Sequence, residues 1–159
     1  MSKKSKSEQL PKLSELLTED RISLKVPVSD WKEAITRAGE MLVKTGAVEP
    51  RYIKAMIRFK EELGPYIVIT EGVALPHARP EDGVLKTCFA LTTLKKPVEF
   101  GNVHNDPVDL VIAFGATDNS LHVKALAQIA KILQNQEDTN SIRNSERKTE
   151  VLKILKKYE

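Results

Sequence analysis

The stretch GVALPHARPEDGV, residues 72–84, carries a histidine where an apolar segment ends. His77 follows Pro76, and Pro80 restricts Arg79, because the residue before a proline is pushed towards extended conformations. The loop is therefore predicted to be stiff on both sides of the imidazole. A neutral imidazole has a free lone pair on one ring nitrogen, so it can act as a base, a metal ligand or a nucleophile. A stiff loop suits a reactive group that must keep its direction.

Several chemistries that use histidine find little support in the sequence. His104 and His122, the other two histidines, belong to none of the H-x-E, HExxH or CxxC patterns of metal sites, so no metal and no other cofactor is predicted. Neither the G-x-S-x-G nucleophile motif nor a P-loop for ATP is present, and Cys88 is interpreted as a small buried residue of a strand. The remaining interpretation of His77 is a covalent acceptor of a phosphoryl group.

The charge of the chain is concentrated at its start. The chain has 159 residues and a formal net charge of +3, and Lys3, Lys4, Lys6 and Lys12 face only Glu8 in the first twelve residues. Basic and acidic residues are equal in number after that. We predict a flexible, lysine-rich leader over residues 1–12 and a single domain over residues 13–159, and no nucleic-acid binding, because no basic stripe or nucleic-acid-binding motif is visible.

Hydropathy gives no sign of membrane insertion. The longest apolar stretch, residues 108–116, contains Asp109 and is far shorter than the roughly 20 residues that span a bilayer. The first residues have no apolar segment of the kind found in secretory signals, and the single cysteine allows no internal disulfide. The prediction is a cytoplasmic protein without direct membrane insertion.

Periodicity predicts alternating strands and helices. Residues 22–26 have the two-residue period of a first strand, and a helix is predicted from Trp31, capped by Ser29 or Asp30, to the stop at Gly46. A second helix is expected from Pro50 to the break at residues 64–65.

Three further strands are predicted in residues 66–69, in parts of 85–94, and in 108–113. The third, almost wholly apolar, suits a central strand. Two more helices are expected, over residues 121–134 and 146–158. The first has candidate caps in residues 118–120, Asp118 among them, and Leu126, Ile129 and Leu133 inward. The fold class is α/β: a mixed β-sheet flanked by helices on both faces, an α/β/α sandwich.

One segment resembles a known family. Its pattern, G-x-A-aliphatic-P-H followed by a small residue, is filled by Gly72, Ala74, Leu75, Pro76, His77 and Ala78. This pattern is similar to the active-site signature of the mannitol/fructose-type (type 2) enzyme IIA domains of the bacterial sugar phosphotransferase system (PTS). The segments VEPRYIKAMI and GPYIVITEGVALPHARPEDGV further resemble the ascorbate-specific branch, where glycine is frequent in place of Ala78.

The resemblance implies a function. A type 2 IIA domain over residues 13–159 would be a phosphotransferase that takes a phosphoryl group from phospho-HPr on His77. It would pass the group to a cysteine of a separate IIB protein, and so serve a membrane IIC component indirectly. The expected system takes up a sugar or sugar acid, with L-ascorbate predicted. The alternative is a regulatory IIA-like module whose phosphorylation state controls a kinase or a transcription factor.

The resemblance also suggests roles for individual residues. His122, matching the family's assisting histidine, would donate to the phosphoryl oxygens from the first turn of a helix. Apart from the resemblance, Arg79 could pair with the phosphate or with an acidic group of a partner, or could simply be solvated in a polar loop. A backbone carbonyl is expected to hold the second ring nitrogen of His77. His104 is interpreted as a turn residue. An apolar docking surface around His77 is expected, with four candidates: Val73, Leu75, Ile69 and Phe89.

Overall fold

The structure, a computed structural model, describes residues 9–159. Most of the leader predicted over residues 1–12 lies outside the described residues, so its flexibility stays a prediction. The described part contains one sheet of five strands in the order β1-β4-β5-β3-β2. The strands are β1 (Ile22–Val26), β2 (Val68–Thr70), β3 (Val73–Ala74), β4 (Cys88–Val98) and β5 (Val108–Gly115).

The sheet is mixed, with β5 at its centre as the apolar run predicted. The β1–β4 and β3–β5 pairs are parallel, whereas the β4–β5 and β2–β3 pairs are antiparallel. Residues 108–115 are almost entirely buried, because helices cover both sides of the strand. This architecture confirms the predicted mixed sheet.

Six α-helices surround the sheet in residues 9–159. They are α1 (Leu13–Leu16), α2 (Trp31–Lys44), α3 (Arg51–Leu63), α4 (Asn119–Leu133), α5 (Gln136–Asn144) and α6 (Lys148–Lys156). The side chain of Asp30 accepts a hydrogen bond from Glu33 N at the start of α2, and Asp118 accepts from Leu121 N at the start of α4. Both helices begin within two residues of the predicted position because these carboxylates satisfy otherwise free N–H groups.

The two faces of the sheet bury different helices. Cys88 and Ala90 point to the face covered by α2 and α3, whereas Phe89 and Leu91 point to the face covered by α1, α4, α5 and α6. The two-residue period of β4 thus divides the core into two layers. The predicted α/β/α sandwich is confirmed, and so is the burial of Cys88, which raises the pKa of its thiol to about 11.

Several details differ from the sequence prediction. Tyr66, predicted in a strand, lies 81% exposed in a 3-10 turn, because Gly64 adopts φ +76 and Pro65 follows it. Strand β3 and helices α1 and α5 were not predicted. Strand β3 has two residues and α1 has four, too few to show a period, and α5 has too few apolar residues. On α4, Leu126 and Leu133 are only half-buried. Its fully buried residues are Leu121, Ala125, Ile129 and Ile132.

Candidate active site

His77 lies in the segment that leaves β3 and runs beside the end of β5. Two backbone hydrogen bonds fix this segment ahead of the imidazole. Leu75 N donates to Ile67 O at 2.8 Å, and Phe114 N donates to Pro76 O at 3.1 Å. The segment is therefore an irregular continuation of the sheet, and its backbone is held from both sides as the flanking prolines suggested.

Tyr52, on α3, holds the residue after His77. Its hydroxyl accepts a hydrogen bond from Ala78 N at 2.9 Å and donates one to Phe114 O at 2.8 Å. The side chain is fully buried, and burial raises the pKa of the phenol above its usual value, so the hydroxyl keeps its proton. One side chain thus joins α3, the segment after His77 and the end of β5.

The next residue is held in a similar way. Arg79 N donates to Asp82 Oδ2 at 2.9 Å, within the turn that Pro80 begins. The guanidinium of Arg79 lies at the exposed rim of the site. Both backbone N–H groups that follow His77 are therefore already hydrogen-bonded.

The ring of His77 is held through Nδ1, which lies 2.8 Å from Leu75 O. A carbonyl oxygen only accepts hydrogen bonds, so Nδ1 carries the proton and Nε2 keeps the lone pair. Burial lowers the pKa of His77, the bond to Leu75 opposes this, and the neighbouring His122 lowers the pKa further. The expectation of a backbone carbonyl is confirmed. At neutral pH the side chain is a neutral imidazole with a nucleophilic Nε2.

Three aromatic rings surround the imidazole. The ring centroids of Phe114, His122 and Phe59 lie 4.9, 5.1 and 5.2 Å from that of His77. His122 lies in the first turn of α4, where its backbone N–H donates to Asp118 O. Its side chain is half-buried, and this burial lowers the pKa of the imidazole. The fold therefore places the two histidines singled out from the sequence edge to face.

His77 opens into a cleft of about 260 Å³. The cleft lies between the last turns of α3, the loop after His77 and the first turn of α4. Its lining includes Phe59, Glu62, Leu63, Arg79, Asn119 and His122. All three predicted site residues line this one cleft, and the imidazole of His77 can meet a group that enters it.

The predicted apolar docking residues were mostly wrong. Val73, Leu75 and Phe89 are fully buried, because they face the core layer under α4. Ile69 is 46% exposed but does not line the cleft. The exposed apolar side chain that lines it is Leu63, which is 47% exposed, and Val123, the residue after His122, is 65% exposed.

Other residues of the site were not predicted from the sequence. Tyr52 and Phe59 are seven residues apart on α3, a spacing that puts both on one helix face, but only the fold shows that this face meets His77. Phe114 lies next to the end of β5, in a run of buried residues, so nothing in its local sequence distinguishes it.

Elsewhere the described residues show no rival site. A larger cleft, about 490 Å³, lies between α1 and α6, but it is lined by aliphatic, hydroxyl and charged side chains without a histidine or cysteine. Within residues 9–159, no three His, Cys, Asp or Glu side chains come together as metal ligands. His104 lies exposed in a turn, as expected. Over the same range no helix is both long and apolar enough to cross a membrane.

Comparison with known proteins identifies the family. The family model described as "Phosphoenolpyruvate-dependent sugar phosphotransferase system, EIIA 2" matches residues 15–158. The chain therefore belongs to the type 2 enzyme IIA family. Among curated relatives, it is 40% identical over 146 residues to the ascorbate-specific PTS system EIIA component of Escherichia coli K12, which covers 91% of this chain and 95% of that protein.

Solved structures agree with this family. The solution structure of the mannitol-specific cryptic phosphotransferase enzyme IIA CmtB from Escherichia coli superposes with a TM-score of 0.82 and 32% identity, covering 92% of this chain and 99% of that one. The complex of enzyme IIAMTL with phosphorylated enzyme IIBMTL, also from Escherichia coli, matches with a TM-score of 0.78 and 32% identity, over 87% and 95% of the two chains.

Proposed function

We propose that this chain is the IIA component of an L-ascorbate phosphotransferase system, with His77 as its phosphoryl acceptor. The phosphoryl group comes from phospho-HPr and passes to a cysteine of a IIB protein, which serves the membrane IIC component. The substrate assignment is supported by 40% identity to a component named for ascorbate over 91% of the chain. The assignment of the acceptor rests on the chain's own geometry.

The observation that carries the acceptor assignment is the bond from His77 Nδ1 to Leu75 O. It leaves the Nε2 lone pair to attack phosphorus. As the N–P bond forms at Nε2, the bond from phosphorus to the donor breaks and its electron pair leaves with the donor. The ring then carries a positive charge, which the carbonyl beside Nδ1–H stabilises. Transfer to the IIB cysteine reverses the roles, with Nε2 as the leaving group.

His122 assists the transfer without accepting the group. Phosphoryl transfer develops charge on the equatorial oxygens, and a positioned N–H donor lowers the barrier by stabilising that charge. The imidazole of His122 lies 5.1 Å from that of His77, centroid to centroid, at the positive end of α4. Arg79, exposed at the rim, contacts either the phosphoryl oxygens or an acidic group of a partner.

Two partners use the cleft in turn. HPr and IIB must each bring a reacting atom to the same Nε2, so their docking surfaces on this chain overlap. The exposed Leu63, which lines the cleft, and the exposed Val123, next to His122 in the sequence, supply small apolar contacts. Small contacts suit interfaces that form and separate in every cycle.

Transfer assays with purified components test this function. After incubation with phosphoenolpyruvate, enzyme I and HPr, the chain should gain one phosphoryl group by intact mass. It should then pass that group faster to the IIB protein of an ascorbate system than to that of a mannitol system. Equal or reversed preference contradicts the ascorbate assignment, and phosphorylation with no transfer to any IIB favours the regulatory alternative.

A variant tests the role of His122. His122→Ala should reach the same final phosphorylation from phospho-HPr, yet pass the group to IIB about a hundredfold more slowly, because one charge-stabilising donor is lost. Equal transfer rates would make His122 a helix-end residue without a part in the reaction.

A further inference from the structure

We propose that Asn119 is a further catalytic residue, whose side-chain amide donates a hydrogen bond to the phosphoryl oxygens on His77 during transfer. The inference rests on the proposed function of His77 and extends it. Asn119 is the first residue of α4 and lines the same cleft as His77 and His122. Its side chain places an uncharged amide among the groups that an incoming phosphoryl group meets.

The loop that carries the nucleophile cannot easily supply such donors. Backbone N–H groups next to a nucleophile commonly stabilise developing negative charge. Here Ala78 N is bonded to the Tyr52 hydroxyl at 2.9 Å, and Arg79 N is bonded to Asp82 Oδ2 at 2.9 Å. Redirecting either N–H would leave the hydroxyl or the carboxylate without its partner, which costs free energy. The donors must come from elsewhere in the cleft.

The charges around the cleft favour binding of the phosphoryl oxygens on its α4 side. Glu62, in the last turn of α3, brings a carboxylate to one side, and the carbonyl end of that helix has the same sign. The first turn of α4 presents N–H groups and the positive end of a 15-residue helix. The phosphoryl oxygens, which carry the negative charge, are therefore directed away from Glu62, towards Arg79 at the rim and towards Asn119 and His122 on α4.

The amide of Asn119 is free for this contact. Capping of α4 falls to Asp118, whose carboxylate accepts from Leu121 N at 2.8 Å and whose carbonyl accepts from His122 N at 3.0 Å. Over residues 9–159, no hydrogen bond engages the side chain of Asn119. Because the residue is exposed, its amide can exchange water for the phosphoryl oxygens without breaking a hydrogen bond within the protein.

The sharpest test adds one negative charge at two neighbouring positions. Asn119→Asp places a carboxylate inside the cleft, whereas Ser120→Asp places the same charge at the same helix end outside the set of lining residues. Acidic residues in a first helical turn favour the helix, so neither variant should lower thermal stability. Phosphorylation by phospho-HPr should slow about a hundredfold in Asn119→Asp, because a donor is lost and a repelling charge gained. Ser120→Asp should stay within about threefold of wild type, because Ser120 does not line the cleft and solvent separates its charge from the phosphoryl group.

Removal of the amide without added charge provides an independent variant. Asn119→Ala should slow phosphorylation about tenfold at unchanged final stoichiometry, the range expected for one hydrogen bond to a charged group. Wild-type rates in Asn119→Ala, or equal slowing in Asn119→Asp and Ser120→Asp, would overturn the role of Asn119 while leaving His77 as acceptor. A wild-type chain that gains no phosphoryl group would instead overturn the proposed function itself.

Discussion

Two loops of this protein each present a histidine, and both loops are held by hydrogen bonds. The first is the segment around His77, tied by Tyr52 and by backbone bonds to β5. The second is the turn around His104, organised by the carboxylate of Asp106. That carboxylate accepts from Phe100 N at 3.0 Å, Gly101 N at 2.8 Å and Asn102 N at 2.9 Å.

The difference between the loops lies in the surroundings of the rings. His104 is exposed, and its backbone N–H donates a hydrogen bond to Asn102 Oδ1. The ring of His77 is largely buried among three aromatic rings, with Nδ1 fixed on a carbonyl. Loop rigidity is therefore not enough for a reactive histidine. Burial and a fixed tautomer give the imidazole of His77 a neutral form with one directed lone pair.

The largest difference between the two loops is expected when their histidines are replaced. His77→Ala should abolish phosphorylation by phospho-HPr, because the attacking Nε2 is gone. His104→Ala should be phosphorylated to the wild-type level, because its ring has no part in the cleft. Intact mass after incubation with phosphoenolpyruvate, enzyme I and HPr measures both, with circular dichroism as the control for folding. Full labelling of His77→Ala would place the acceptor elsewhere.

A smaller effect is expected from the group that holds the His77 loop. Tyr52→Phe removes the hydroxyl that is the hydrogen-bond partner of Ala78 N and Phe114 O. This loss should cost about 1–3 kcal/mol of stability. Phosphoryl transfer should slow about tenfold, because the nucleophile loses its alignment.

A matched control separates this effect from lost stability. Thr93→Val removes another buried hydroxyl, which lies on β4 and accepts a hydrogen bond from Lys25 N of β1 at 2.8 Å. It should lower stability by a similar amount yet leave the transfer rate within about twofold of wild type, since small structural losses far from a site rarely alter its chemistry. Equal slowing in both variants would reduce Tyr52 to a general stabilising residue.

The rate of phosphorylation should fall at a lower pH than it would with an ordinary histidine as the acceptor. An ordinary histidine, with a pKa of about 6.5, is neutral in only about a quarter of molecules at pH 6. Burial lowers the pKa of His77, so more of the plateau rate should remain at pH 6 than the roughly one quarter expected for an ordinary histidine. A rate that halves at or above pH 6.5 would contradict a buried, neutral acceptor.

The same shift determines how stability changes with pH. The pKa values of His77 and His122 are lower in the folded protein, mainly through burial, so the unfolded chain binds protons more readily. Stability should therefore be lost as the pH falls below about 6.5, towards the lower folded-state values. Urea unfolding of wild type and of the His77→Ala, His122→Ala double variant should show a weaker loss in the variant.

The smallest effect on transfer is expected from the other loop. Asp106→Ala removes the acceptor of three N–H groups and should cost about 1–3 kcal/mol of stability. The transfer rate should nevertheless stay at the wild-type value, measured well below the unfolding temperature. A marked loss of transfer would show that the two loops are coupled, and the contrast between them would fail.

The sequence predicted those parts of the site that depend on local signals. The prolines around His77 and the cap at Asp118 are local, so the stiff loop and the helix that carries His122 could be predicted. The rings of Phe59 and Phe114 and the hydroxyl of Tyr52 reach His77 from distant segments, so only the fold reveals them. Strand β3 was missed because its two residues have no period of their own, although it leads directly into the site.

The central claim is that Nε2 of His77 accepts the phosphoryl group while Nδ1 stays protonated on Leu75 O. Nuclear magnetic resonance of ¹⁵N-histidine-labelled protein, phosphorylated by phospho-HPr, tests it directly. We expect ¹⁵N–³¹P coupling at one nitrogen, Nε2 of His77, with a proton on Nδ1 and no coupling at His122. Coupling at Nδ1 of His77, or at either nitrogen of His122, would contradict the account.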